Sequence, residues 1–232
     1  MSACRRLWAP VALVVILIGA WTGGAAANGP PRSGNTWDGL YVGGSVGGGW
    51  GESSWVYTTG GFTTTPNPFD IDGLVGGLHV GYQRQVGQMI VGIETSVLFS
   101  DNLGGSALCP NPVFVCSVST DWVWMLGPRL GYSMGNMHFY GTGGYALAGV
   151  RSKSVDTTGG IPTDVGDGRH DGWYFGGGVE WAVAPSLTFG IEYRRIELSD
   201  DVHLSSLAPA GNRAIDASMD TIQARLSLKL GQ

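Results

Sequence analysis

Glu94, Arg129, Glu180, Glu192, Arg194 and Arg225 are the residues whose types and placement most clearly invite chemistry: three acids and three bases, each next to an apolar or aromatic residue. Balanced charge implies pairing. Facing one another in a narrow interior, such groups would form a hydrogen-bonded plug, because an ion buried without a partner costs several kcal/mol. The competing chemistry is a selectivity constriction or a proton path, which a ring of one sign favours over a neutral mix. His203-Leu204-Ser205 invites an enzyme reading, yet nucleophilic catalysis needs a base within about 3 Å of the hydroxyl and a third group to orient it. A spacing of two residues alone is common by chance. His79, His138 and His170 are scattered without the spacing of a haem or metal ligand set. Gly141 to Ala146 matches a dinucleotide fingerprint on paper, but no helix follows to receive a phosphate. No cofactor and no resident metal are therefore expected.

The elements that must position these side chains are strands. Leu74, Leu78, Val80 and Tyr82 alternate with Gly73, Val75, Gly77, His79, Gly81 and Gln83. The same period of two recurs around Glu94, Arg129, Glu180, Glu192 and Arg225, each time with large apolar residues on one face and small or charged residues on the other. Leu40 to Trp50 and Phe139 to Val150 complete a set of eight. Short turns are expected near Gly87, Gly135 and Pro185, and loops of around twenty residues over 51–70, 100–121, 151–171 and 199–219. Short turns at one end and long loops at the other predict an all-β, eight-stranded antiparallel up-and-down transmembrane β-barrel, with four long outer loops and short periplasmic turns. Its bulky face would meet lipid and its small, polar face would fill the interior. Threading the strands places Trp50, Phe99, Trp122, Trp124, Trp173 and Phe175 at the loop end and Tyr82, Tyr132, Phe139 and Trp181 at the turn end, as two aromatic girdles.

Composition agrees with this architecture. Of 232 residues 40 are glycine, far above the usual share of about 7% and unfavourable for long helices. Arg5 and Arg6, an apolar run from Leu7 to Ala20 and the small residues Ala25 to Ala27 read as a cleavable secretory signal over 1–27. A short periplasmic segment, 28–36, then precedes the barrel domain, 37–232. Loss of the two arginines takes the formal charge from −5 to −7, so nucleic acid is not an expected partner. Cys109 and Cys116, separated by six residues, suit a small disulfide loop in an oxidising compartment. A metal site there lacks further ligands of fitting spacing.

Thr36 to Gly44 contains Trp37, Gly39, Tyr41, Val42, Gly43 and Gly44, an opening "W-x-G-x-Y-V-G-G" that resembles the small porin-like outer-membrane β-barrel proteins of Gram-negative bacteria. Val91 to Glu94, Gly127 to Tyr132, Tyr140 to Ala146, Gly176 to Trp181 and Ile191 to Arg194 resemble later strands of that family, in order. The resemblance covers residues 36–230. It implies a cell outer-membrane location, contact with lipopolysaccharide and other membrane lipids, and assembly by the barrel-assembly machinery. That machinery usually reads a terminal aromatic residue, where this sequence has Gly231-Gln232. The role expected is structural and interactive, with host or small-molecule ligands met at the outer loops and no enzymatic step. Alternatives are a narrow passive pore for small solutes, a haem-binding surface protein and a lipid A-modifying enzyme.

Overall fold

Alternation of this kind builds β1 (Gly39–Tyr57), β2 (Asn67–Val86), β3 (Met89–Leu108), β4 (Phe114–Met134), β5 (Met137–Asp156), β6 (Pro162–Ala184), β7 (Leu187–His203) and β8 (Arg213–Leu230). In the computed structural model they close into one barrel in chain order, every neighbour antiparallel. The seam between β1 and β8 runs from Leu40 opposite Leu230 to Tyr57 opposite Arg213. The residues described are 37–57, 67–108, 114–156, 162–203 and 213–230. The expected signal segment, residues 28–36, Cys109 and Ser205 lie outside them.

Two of the three tight turns begin on Gly87 and Gly135, at φ of 64° and 65°, a left-handed backbone that glycine adopts without steric cost. The turns are stitched to their neighbours, Ser133 N donating to Gln88 O at 2.7 Å and Ala182 N to Asn136 O at 2.8 Å.

The other end departs from expectation. Strands of 17 to 23 residues run well into the segments expected as loops, and a tilted strand needs only about 10 to cross a bilayer. Toward the turns the large apolar residues point outward, among them Val91, Ile93, Leu130, Phe139 and Ile191. From the upper girdle onward the pattern inverts. Ile71, Val75, Leu98, Leu103, Val118, Val123, Met125, Val150, Ile196 and Met219 point inward and form an apolar core. The outer face there carries ion pairs, Arg151 to Asp121 at 2.8 Å, Arg195 to Glu197 at 2.6 Å and Arg195 to Asp220 at 2.9 Å. The expectation of a small or polar interior therefore holds only for the turn half. Where water replaces lipid outside, burial favours apolar side chains within.

Girdle residues Trp50, Phe99, Trp173 and Phe175 at one level and Tyr82, Tyr132 and Phe139 at the other are exposed on the outer face, with Trp122, Trp124 and Trp181 half-buried there. Trp122 and Tyr132 lie ten positions apart on β4, about 25 Å of height at the usual strand rise and tilt, the thickness of an apolar band.

Inward glycines allow the wall to bend this tightly. A Cβ on Gly47 would fall inside the Ile222 carbonyl and 2.7 Å from the Gln223 Cα, whereas one on the outward Gly48 would meet nothing nearer than Gly73 O at 4.0 Å. Adjacent glycines thus predict opposite outcomes. Gly47→Ala should cost about 1–3 kcal/mol through overpacking, while Gly48→Ala should be neutral or stabilise by up to about 1 kcal/mol, both read from urea unfolding of the folded barrel.

Candidate functional site

The six charged residues converge in the turn half of the lumen, each between 1% and 3% exposed. Cross-strand register explains how they fit. Glu94 lies opposite Gly81 and Gly127, and Arg129 opposite Gly92. Glu192 lies opposite Gly178 and Arg194 opposite Gly176, while Glu180 and Arg225 share Gly190. Each of the six charged side chains thus reaches across a residue that has none, the large-against-small packing that a narrow barrel requires.

Glu94 is the hub. Its Oε2 accepts from Tyr41 Oη at 2.8 Å, Arg129 Nη1 at 3.2 Å and Arg225 Nη2 at 2.6 Å. Its Oε1 accepts from Arg194 Nη2 at 2.7 Å and Arg225 Nη1 at 3.0 Å. Arg129 Nη2 continues to Glu180 Oε1 at 2.8 Å. Glu192 receives Arg225 Nη1 and Tyr140 Oη on Oε2, both at 2.7 Å, and stands 2.6 Å from Arg194 Nε. Arg194 Nη1 also donates to Ser96 Oγ at 2.7 Å. The Arg129 guanidinium lies 3.6 Å from the centroid of the Tyr140 ring. Charge-assisted bonds of this length are the strong ones, and each acid meets at least one guanidinium head-on.

Side chains of seven strands join this cluster, and β2 adds His79, whose Nε2 lies 2.8 Å from Ser227 Oγ. Tyr41, Tyr140 and His79 were not among the residues singled out for this site by sequence, although period-two phase puts all three on the inward face. Above the charges the lumen is filled by Met125, Ala146, Ala148, Ile196 and Met219, each fully buried. Arg194 Nη1 touches Met125 Sδ at 3.5 Å, where the two layers meet. A void of about 10 Å³ beside Val75, Leu98, Val123 and Met219 has room for at most one water. Chemically the arrangement offers cross-bracing and closure, with every carboxylate of the network engaged.

The remaining candidates fall elsewhere. His79 and His138 sit in the turn half, whereas His170 is at the loop end with Nδ1 3.0 Å from Ser199 O, so the three histidines do not converge. His203 closes β7, and its expected partner Ser205 is outside the described residues. Cys116 is buried on β4 and disulfide-bonded; Cys109, the expected partner, is also outside.

Residues 13–229 match the family described as outer membrane protein beta-barrel domain. A 22 kDa outer membrane protein of Rhizobium leguminosarum bv. viciae is 28% identical over 182 residues, 78% of this chain and 74% of that protein. A 31 kDa outer-membrane immunogenic protein of Brucella melitensis is 28% identical over 165 residues, 67% of this chain and 65% of that protein. Among solved structures, the outer membrane protease OmpT of Escherichia coli superposes with a TM-score of 0.51 at 10% identity, covering 86% of this chain and 99% of that one. That likeness is one of fold. Neisserial surface protein A gives 0.42 at 13% identity, covering 83% and 98%.

The hub predicts its own sensitivity. Glu94→Gln leaves Arg129, Arg194 and Arg225 with an excess of buried positive charge and should destabilise the barrel by about 3–5 kcal/mol. Glu52→Gln, on the exposed outer face, should stay within about 0.5 kcal/mol in the same unfolding titration.

Proposed function

The chain belongs to the outer-membrane β-barrel family, and from that premise we propose that it serves the outer membrane as a closed structural barrel that presents its outer end to ligands or host surfaces, without covalent chemistry. The observation that carries this reading is the lumen, blocked by a neutral, mutually bonded charge cluster below and a packed apolar core above. A passive pore needs an aqueous path between charges, and here the charges spend their hydrogen bonds on one another.

The wall supports the interactive half of the proposal. Beyond Trp122 the β4 strand continues eight residues to Phe114, about 20 Å of extra height at ordinary strand rise and tilt. A bridge from Cys116 to Cys109 would fasten the second outer loop to that extension. The immunogenic label of the Brucella relative fits a surface-displayed end. The enzymatic alternative gains nothing from the buried His79–Ser227 pair, which lies in the sealed half of the lumen and offers no approach to a substrate.

Deletion of the gene separates the two main readings by sign. Loss of a structural barrel should leave uptake of a small hydrophilic β-lactam unchanged or raise it, with greater sensitivity to detergent, whereas loss of a pore would lower uptake. Reduced uptake restored by complementation would overturn the structural reading.

A further inference from the structure

The turn-end mouth of the barrel is closed by a residue that belongs to no strand. Trp37 precedes β1, yet it is 1% exposed, and its ring packs on the lumen-facing His138 at a centroid distance of 4.9 Å. His138 in turn lies 5.2 Å from the Tyr140 ring, and Tyr140 carries the Arg129 guanidinium. One stack therefore runs from the mouth to the charge cluster. Gly39 sits at φ of 116°, a conformation that residues with side chains rarely adopt, and so bends the chain between Trp37 and the wall. Asp38 Oδ1 accepts from the Gln85 backbone N–H and hooks this bend to β2.

The closed mouth leaves polar groups unmatched. Among the described residues, Trp37 Nε1, both ring nitrogens of His138 and the side-chain carbonyls of Gln83 and Gln85 are buried without a hydrogen-bond partner. His138 Nδ1 stands 3.6 Å from Glu180 Oε2, beyond hydrogen-bonding reach. Burial of the indole holds the seal shut, while hydration of these groups would favour its opening. No ladder of the wall has to part for Trp37 to leave.

We propose that Trp37 is a removable stopper, which closes the lumen from the periplasmic side and, when displaced, admits water and small polar solutes to His138 and the Glu180–Arg129 pair. This rests on the closed-lumen reading and goes beyond it, because it assigns the lower seal to one side chain.

Diethylpyrocarbonate, a reagent of about the bulk of the indole, tests the assignment on the full-length protein in bilayers. Heat-dependent gel migration establishes folding, and mass spectrometry follows carbethoxylation of His138. The wild type and Trp37→Phe should be protected, and folded Trp37→Ala should react about tenfold faster or more. Protection of His138 in folded Trp37→Ala would overturn the stopper and leave the closed lumen intact. Ready modification of His138 in the folded wild type would likewise overturn the stopper, whereas the closed-lumen reading, which rests on the charge cluster and core above His138, fails separately, by ion conductance through the folded barrel. If Trp37→Ala does not fold, Trp37→Leu serves as the smaller side chain under the same criteria.

Discussion

Neutrality inside a narrow lumen is the constraint on which the rest of this barrel depends. Three arginines and three glutamates cannot be withdrawn from water separately, because each unpaired ion would cost more than a domain's spare stability allows. Gathered around Glu94, they offset one another's charge and tie β3 not only to its neighbour β4 but, across the interior, to β7 and β8. Hydrogen bonds around the ladder join neighbours alone, whereas this cluster braces strands that never touch in the wall.

The brace in turn dictates the glycines. A guanidinium or carboxylate reaching over the adjacent strand needs an empty position there, and Gly81, Gly92, Gly127, Gly176, Gly178 and Gly190 supply it. The same residues let strands approach where a Cβ would collide, as at Gly178 beside Tyr140 Oη. High glycine content and inward charge are thus two aspects of one packing solution. Outside, lipid and water divide the surface, and the interior answers with charges at one height and an apolar core at the other.

Strand identity and the inward placement of the six charges were legible because a period of two fixes faces without any knowledge of neighbours. Partner choice was not legible. Arg225 meets Glu94 across 131 positions of sequence, a contact set by barrel closure and register rather than by local pattern. The upper halves of the strands escaped for a different reason. In Ser117, Val118 and Ser119, or Ala217, Ser218 and Met219, the polar residues face outward and the apolar ones inward, the reverse of the lower halves, so a reading keyed to lipid outside takes them for loop. Trp37 stood in the family-like opening, but nothing local indicates that a residue ahead of the first strand folds back into the lumen.

The central claim is that the paired charges and the core above them leave no aqueous path through the barrel. Single-channel recording of folded wild-type protein in a planar bilayer tests it most directly. The account predicts a silent membrane at moderate voltage. Discrete, reproducible conductance steps from folded protein would contradict it.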